Sequence, residues 1–339
     1  MKELTNPNLL HEADFTHRIH TEVEPWCATN LHRGRITSFD GKLLRYYYAM
    51  NKEATGTIMV MHGLSEFIGK YRELLYTFYH AGYNVFFYEQ RGHGDSAREI
   101  KNTEYIHVKS FDKYMEDLKW FMDKKVLPTV EMHKTPAEME SHPIFLFGHS
   151  MGGAVSAAFL ETYPEYFDAA VLASPMIGMK TGSFTPFQVK LLADAGRLLH
   201  FDKRPAAGQG GFDPDEPFET SCSLSPARFA YILEQRRAHP RYQTGGPTLS
   251  WVGAAMRACE RIRAEAGKVD IPVLILQAGA DELVDNDAQE AFASASGDTR
   301  IISIPGAKHE LMNGTDEITD RFYGEIFRFY GEQAEKLNG

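Results

Sequence analysis

The stretch that decides the fold reads Phe145-Leu146-Phe147-Gly148-His149-Ser150-Met151-Gly152-Gly153. Its apolar first part ends in the pattern Gly-x-Ser-x-Gly, and small residues follow at helical spacing, so it predicts a strand, a sharp turn and a close-packed helix. Glycines on both sides of Ser150 suit a turn in which neighbouring backbone lies so close that a Cβ would collide. Such a turn presents the Ser150 hydroxyl at a helix N-terminus, whose free N–H groups face the same point. We therefore interpret Ser150 as a candidate nucleophile.

Outward from this stretch, apolar runs of strand length alternate with helical patterns. The runs lie at 57–61, 83–88, 143–147, 169–173, 273–277 and 301–304. A hairpin at 35–39 and 43–48 precedes them, with Asp40-Gly41 at its turn. Because the runs are continuously apolar, we expect the strands to be covered on both faces. This order predicts an α/β fold with a mostly parallel sheet and helices on both faces.

The segment 176–268 interrupts the alternation. It contains no clear strand, but it carries helix-like stretches such as 187–199 and a cluster of Gly, Pro and Asp at 208–214. A structureless loop of this length is uncommon inside a compact domain. We therefore predict a core formed by 35–175 and 269–339, with 176–268 inserted as a helical cap. Residues 1–34 read as a polar, irregular N-terminal arm that lies over the domain.

Composition narrows the function classes. The formal net charge of -10 over 339 residues provides no basic surface for nucleic acid, and any lipid contact must come from local apolar surface. Three scattered cysteines indicate reduced thiols rather than a disulfide framework. The N-terminal segment has no apolar run of signal-peptide length, and no later run is long enough to span a bilayer. These features predict a cytoplasmic protein.

Two residues downstream are candidate partners for Ser150. A serine hydroxyl needs a base within hydrogen-bond reach and an acid that holds the base in the right tautomer. With a Gly-x-Ser-x-Gly turn, the usual chain order is serine, acid, histidine, each beyond the carboxyl end of a strand. Asp281 follows the run 273–277, and His309 follows the run 301–304. We predict Ser150, Asp281 and His309 as a triad, with Asp285 as the alternative acid because carboxylates crowd that loop.

An oxyanion hole requires two backbone N–H groups that point at the developing negative charge. The amide of Met151 directly follows the candidate nucleophile. The second donor is expected from the loop after an early strand, where His62-Gly63-Leu64 lies. We predict the amides of Met151 and Leu64 as the two donors.

Other candidate sites are weaker. His93 lies between two glycines, which indicates a tight structural turn, and His149 is expected to pack against or orient the turn at Ser150. No Cys or His pair has the spacing of a zinc site. There is no Gly-rich phosphate loop. The sequence therefore predicts neither a metal nor a cofactor.

An apolar stripe at helical spacing runs through the first part of the predicted cap. It includes Phe187 and Leu191, which we predict to bind an acyl chain. The alternative is that the stripe packs the cap onto the core. Its members are Phe184, Phe187, Leu191, Leu192, Leu198 and Leu199.

Taken together, the motifs resemble those of the monoacylglycerol lipase and bacterial lysophospholipase branch of the α/β-hydrolases, over roughly residues 35–332. The motifs that carry the resemblance are His62-Gly63-Leu64-Ser65-Glu66 with Lys70-Tyr71, Arg91-Gly92-His93-Gly94-Asp95-Ser96, Gly148-His149-Ser150-Met151-Gly152-Gly153, Gly245-Gly246-Pro247-Thr248 with Trp251, and the stretch from Leu276-Gln277 to Val284-Asp285-Asn286. The resemblance implies an α/β-hydrolase fold, a triad of Ser150, Asp281 and His309, and a cap that lines an acyl-chain pocket. Within that cap, Trp251 is expected to contact substrate.

Two classes of function are open from the sequence. The first is an esterase that cleaves single-chain lipid esters, with a lipid ester as substrate and transient contact between the cap and a membrane surface. Within enzymes, the alternative is a short-chain carboxylesterase or an acyltransferase. The second class is a catalytically silent binding protein, because a fold alone does not determine function.

Overall fold

A single sheet forms the centre of the molecule in the computed structural model, which describes residues 9–135, 138–139 and 141–338. Within these residues the sheet has eight strands in the order β1-β2-β4-β3-β5-β6-β7-β8. The strands are β1 His32–Thr37, β2 Leu43–Ala49, β3 Gly56–Met61, β4 Tyr83–Tyr88, β5 Ile144–His149, β6 Ala169–Ala173, β7 Val273–Ala278 and β8 Thr299–Ile304. The first two strands join the sheet antiparallel, and all pairings from β4 to β8 are parallel. This confirms the predicted α/β class.

Helices cover both faces of the sheet. In chain order they are α1 Phe15–Arg18, α2 Glu24–Asn30, α3 Ile68–His80, α4 Asp112–Phe121, α5 Leu127–Glu131, α6 Met151–Leu160, α7 Pro186–Leu198, α8 Pro226–Ala238, α9 Leu249–Glu265, α10 Asn286–Ala295 and α11 Asp316–Asn338. Every residue of β3, β4, β5, β6 and β7 is buried, as expected for strands with helices on both sides. The carboxyl ends of the parallel strands therefore meet along one edge, where the loops carry the candidate residues.

The N-terminal arm differs from the prediction, because it is largely helical rather than irregular. Helices α1 and α2 are joined by a π-helical turn at Ile19–Val23, and β1 begins at His32, inside the predicted arm. Four apolar side chains of the arm recur at three- and four-residue spacing and are buried in the core: Phe15, Ile19, Val23 and Trp26. The arm thus packs one apolar face onto the domain.

The arm is also tied to α8 through a buried arginine. Arg228 is 1% exposed and donates to both carboxylate oxygens of Glu73 on α3, at 2.9 and 2.7 Å. Its Nη2 atom also donates to the carbonyl oxygen of Leu10 at 2.6 Å. One side chain therefore connects the arm, α3 and α8.

Three helices lie between β6 and β7, in the segment predicted as the cap. Helix α9 packs its inner face into the core, where Trp251, Ala255 and Ile262 are buried. Helix α7 buries only Ala193 and Gly196. These small residues let α7 lie close to α9, since a Cβ on Gly196 would stand 3.0 Å from Leu249. The segment thus contains a helix that belongs to the core by packing and a helix that lies on its surface.

Candidate active site

Ser150 stands in a strained turn between β5 and α6. Its φ is +52°, in a region that residues other than glycine rarely adopt. Gly152 is required beside it because a Cβ there would collide with the carbonyl oxygens of Met61 and His62. The first turn of α6 therefore rests directly against the loop that follows β3.

The structure brings Ser150, Asp281 and His309 together. The Nε2 atom of His309 lies 2.8 Å from Ser150 Oγ, and its Nδ1 atom lies 2.7 Å from Asp281 Oδ2. The three side chains come from the loops after β5, β7 and β8, as their positions in the sequence predicted. All three residues are largely shielded from water, with Ser150 9%, His309 5% and Asp281 4% exposed. A carboxylate on Nδ1 fixes the proton there and leaves the lone pair of Nε2 for the serine.

Asp281 is held as a carboxylate by its surroundings. Burial alone would raise its pKa, but hydrogen bonds outweigh burial and the pKa of Asp281 is lowered. The donors are the His309 ring and the backbone N–H groups of Leu283 and Val284, at 2.8 and 3.0 Å from Oδ1. Asp285, the alternative acid, instead caps α10 by accepting from the Asp287 amide at 3.1 Å.

The amides predicted to form the oxyanion hole lie at the adjoining ends of the β3 loop and α6. Within the described residues, neither the Leu64 N–H nor the Met151 N–H donates a hydrogen bond. Gly63, next to Leu64, donates its N–H to the carboxylate of Glu66. The loop is thus fixed beside Leu64, while the Leu64 amide itself stays free to donate.

His62 anchors the start of this loop in a neutral form. Its Nε2 atom accepts from the Gln90 amide at 2.8 Å, so its proton is on Nδ1 and is donated to the Gly63 carbonyl at 2.7 Å. Burial lowers the pKa of His62 to about 4, because a charged imidazole would lose its hydration. The side chain is therefore a structural link between β3 and the turn after β4.

A buried ionic cluster of Glu66, Lys70 and Glu310 lies beside His149, and its ion pairs were not predicted from the sequence. Lys70 on α3 contacts the carboxylates of Glu66 and Glu310 at 2.6 and 2.5 Å. Burial opposes the charge on Lys70, but the two carboxylates raise its pKa above the usual value. His149 packs between Glu66, at 3.3 Å, and the His309 backbone, as expected for a residue that orients the turn. The family motifs contain Glu66, Lys70 and His149, but no sequence pattern pointed to Glu310.

His93 lies in a turn, as predicted. It is buried, and its Nδ1 atom lies 3.1 Å from the Arg91 carbonyl. Burial lowers its pKa well below the usual value, and neighbouring His62, 4.9 Å away between ring centroids, acts in the same direction. Nothing in these contacts connects His93 with the hydroxyl of Ser150.

The structure places the three predicted substrate-binding residues in two different environments. Trp251 is 2% exposed, tilts against Phe111 and donates to the Tyr114 hydroxyl at 3.3 Å, so it is a core residue of α9. Phe187 and Leu191 are 73% and 58% exposed on the outer face of α7. The stripe does not pack the cap onto the core, because the small residues Ala193 and Gly196 occupy the buried face of α7 instead. That Phe187 and Leu191 bind an acyl chain stays a prediction.

No cluster of His, Cys, Asp and Glu able to hold a metal occurs among the described residues. Over the same part of the chain, no helix combines the length and the apolarity needed to cross a membrane. Cys27, Cys222 and Cys259 are free thiols, and burial raises the pKa of each to about 12.

Comparison with known proteins identifies the family. The model of the family described as Hydrolase_4, serine aminopeptidase, S33, matches residues 52–316. The chain belongs to this family. Among curated relatives of this Hydrolase_4 member, lysophospholipase L2 of Escherichia coli (strain K12) is 31% identical over 305 residues, covering 87% of this chain and 86% of that protein. Monoglyceride lipase of Homo sapiens is 27% identical over 297 residues, covering 86% and 88%. The resemblance drawn from the motifs is confirmed.

Solved structures agree with the family at the level of the fold. A soluble variant of monoglyceride lipase from Saccharomyces cerevisiae, in complex with a substrate analogue, matches the Hydrolase_4 member with a TM-score of 0.69 at 18% identity, over 90% of this chain and 95% of that one. A thermostable carboxyl esterase from Bacillus coagulans matches with a TM-score of 0.67 at 17% identity, over 90% and 99%. The predicted α/β-hydrolase fold is confirmed.

Proposed function

We propose that the chain is a serine esterase that cleaves carboxylic esters of single-chain lipids, lysophospholipids or monoacylglycerols, through an acyl-enzyme on Ser150. The observation that carries the proposal is the position of His309, which bridges Ser150 Oγ and Asp281 Oδ2 at 2.8 and 2.7 Å. A binding protein on the same fold would have no need for a strained serine with both partners in place. This supports the enzyme over the catalytically silent alternative.

In the first half-reaction, Ser150 Oγ attacks the ester carbonyl carbon while His309 Nε2 takes its proton. The carbonyl oxygen becomes an oxyanion that accepts from the Leu64 and Met151 amides. The Asp281 carboxylate stabilises the imidazolium. His309 then returns the proton to the alcohol oxygen, the glycerol-containing product leaves, and the acyl group stays on Ser150.

In the second half-reaction, water replaces the alcohol. His309 accepts a proton from the water as its oxygen attacks the acyl-enzyme, and the same two amides receive the second oxyanion. Collapse of this intermediate returns the proton to Ser150 Oγ and releases the fatty acid. An alcohol in place of water would produce acyl transfer, the alternative left open by the sequence.

The substrate class is supported by the relatives, whose names are lysophospholipase L2 and monoglyceride lipase. They align over most of the chain, including the helices between β6 and β7. We propose that the segment 176–268 acts as a cap over the site, where it selects an acyl chain. The description of the family as a serine aminopeptidase makes a peptide substrate the second candidate.

We further propose that the outer face of α7 touches a lipid surface. Phe187, Leu191 and Leu198 stand 73%, 58% and 80% exposed on one helix, an apolar surface that water does not favour. Together with free thiols and an acidic net charge, this fits a cytoplasmic enzyme that reaches its substrate at a membrane surface.

A fluorophosphonate probe tests the nucleophile. The probe should form a covalent adduct on a peptide containing Ser150, and the Ser150→Ala variant should stay unlabelled with an unchanged melting temperature. Labelling of another serine, or none on folded protein, contradicts the mechanism.

A substrate panel tests the class. It would compare a long-chain lysophospholipid, a long-chain monoacylglycerol, p-nitrophenyl acetate and an aminoacyl p-nitroanilide at equal enzyme concentration. We expect the highest kcat/KM on one of the two lipids. Preference for the anilide would replace the esterase by a peptidase, and preference for the acetate would favour a short-chain carboxylesterase.

A further inference from the structure

The loop that carries the predicted oxyanion donor contains a second strained residue. Ser65, directly after Leu64, has a φ of +61° in the left-handed region. This conformation is unfavourable for any residue with a Cβ atom. A serine therefore keeps it only where surrounding contacts hold the backbone in place. The contacts of Ser65 therefore show what fixes the loop.

Those contacts come from the segment between α8 and α9. The Ser65 hydroxyl donates to the carbonyl oxygen of Gly245, and the Thr244 hydroxyl donates to the carbonyl oxygen of Ser65 at 3.2 Å. Thr244 is 1% exposed, and Ser65 and Gly245 are half-buried, so both bonds are partly shielded from water. The two residues thus form a reciprocal latch between the loop and residues 242–246, which we call the strap.

The strap is itself held from three sides. Arg236 of α8 donates to the Thr244 carbonyl at 2.7 Å. The Gly245 amide donates to the Glu104 carbonyl at 2.7 Å, and the Gly246 amide to the Gly210 carbonyl at 2.9 Å. Gly245 has room only without a side chain, because a Cβ there would collide with the backbone of Gly210. A segment fixed in this way can impose a conformation on Ser65.

We propose that Thr244 and Ser65 are positioning residues that orient the Leu64 amide toward the oxyanion. The Gly63 N–H is fixed by Glu66 on one side of that amide, and the latch fixes Ser65 on the other side. The intervening Leu64 N–H has no partner of its own among the described residues, so the latch and Glu66 hold its direction. This inference rests on the proposed function, because the orientation matters only if an oxyanion forms at Ser150.

In this role the strap contributes to the reaction geometry through the Leu64 amide. Oxyanion donors act because they are oriented before the charge appears, and a loose donor loses that advantage. Loss of one latch bond should leave binding of the ground-state ester nearly unchanged, and it should weaken binding of the tetrahedral intermediate. The signature is therefore a fall in kcat at constant KM.

The experiment compares Thr244→Val and Ser65→Ala with Thr244→Ser, which keeps the hydroxyl. The matched control is Thr319→Val, a buried position on α11 where the hydroxyl donates to the carbonyls of Thr315 and Asp316 at the start of that helix. On a soluble p-nitrophenyl ester, we expect kcat to fall roughly tenfold for the first two variants, less than the hundredfold or more that follows loss of an oxyanion donor. Thr244→Ser and Thr319→Val should retain the wild-type kcat.

A second readout separates positioning from general damage. Affinity for a trifluoromethyl ketone, whose adduct carries the oxyanion, should fall in parallel with kcat/KM, while affinity for a non-hydrolysable ether analogue of the substrate should not change. If Thr244→Val and Ser65→Ala match Thr319→Val in both measurements, the latch has no positioning role. If Thr244→Ser loses as much as Thr244→Val, the hydroxyl is not the cause, and the inference is overturned. Failure of the proposed function would appear separately, as wild-type protein that neither turns over nor labels at Ser150.

Discussion

The loops at the carboxyl edge of the sheet and the outer helix α7 are two regions in which sequence patterns pointed to substrate. At the sheet edge, Ser150, Asp281 and His309 meet at hydrogen-bond distance. On α7, Phe187 and Leu191 face away from the core. Parallel strands all bring their carboxyl ends to one edge, so chain order suffices to place the loops. Helical spacing shows only which residues share a face, and it does not show what that face contacts.

The strongest test of the loops at the sheet edge is to remove the proposed general base, His309. His309→Ala should lower kcat/KM by about 10⁴-fold or more, since among the described residues no other side chain is within hydrogen-bond distance of the Ser150 hydroxyl. The melting temperature should change little. His133→Ala, which alters an exposed histidine in the turn after α5, serves as the control. Substantial turnover in folded His309→Ala protein would show that the edge loops do not form the site.

The acid can be tested with two substitutions of the same kind. Asp281→Asn should reduce kcat by about 10³- to 10⁴-fold, because an amide cannot hold His309 in the required tautomer. Asp285→Asn should stay near wild type, since asparagine caps a helix as well as aspartate does. The reverse pattern in steady-state kinetics would make Asp285 the acid.

Glu161, directly after the C-terminus of α6, allows a test of how stability depends on pH. Glu161 is 6% exposed, and neither of its carboxylate oxygens has a hydrogen-bond partner among the described residues. Burial is the main cause that raises its pKa from 4.5 to about 8, and Glu265 acts in the same direction. The unfolded chain therefore releases this proton near its ordinary pKa while the folded protein retains it, so stability falls as the pH rises between these values.

As the pH rises from 5 to 8, Glu161→Gln should therefore become more stable relative to wild type, by about 3 kcal/mol in free energy of unfolding, at about 1.4 kcal/mol for each unit of pKa shift. Urea denaturation at several pH values measures the difference. The exposed Glu165→Gln should show no such trend. A difference that does not depend on pH would mean that Glu161 is ionised in the fold.

The smallest expected effect concerns α7. Phe187→Ser with Leu191→Ser should weaken binding to phosphatidylcholine vesicles roughly tenfold, because less apolar surface leaves water. Turnover of a soluble ester should not change. Met132→Ser, which alters an equally exposed apolar residue away from α7, is the control for vesicle binding. An equal loss on soluble and vesicle-bound substrate would place these residues in the acyl pocket and remove the contrast between the two regions.

Some features of the fold could be predicted from the sequence because a short local pattern is compatible with only one kind of structure. The continuous apolar runs at β3 to β7 required helices on both faces, and Gly152 required a close backbone approach. Other features depend on packing between distant segments. The sequence places Trp251 in the cap segment, and only the packing of α9 against α4 shows that its side chain is in the core. Charged residues between Phe15, Ile19 and Val23 obscured their helical spacing in the sequence. The latch of Ser65 and Thr244 joins residues far apart in sequence, so no local pattern contains it.

The buried Arg228 determines which parts of the molecule open together in local unfolding. Because it joins α8 to Glu73 and to the Leu10 carbonyl, separating α8 from the core would break all of these bonds at once. Amide protons of α8 and of the N-terminal arm should therefore exchange with solvent as one cooperative unit. Among the described residues, α7 has no such hydrogen bond to the arm, so its amides should exchange independently and sooner. The proposed cap would thus be tied to the arm on the side of α8 only, and we expect a long substrate to enter from the side of α7.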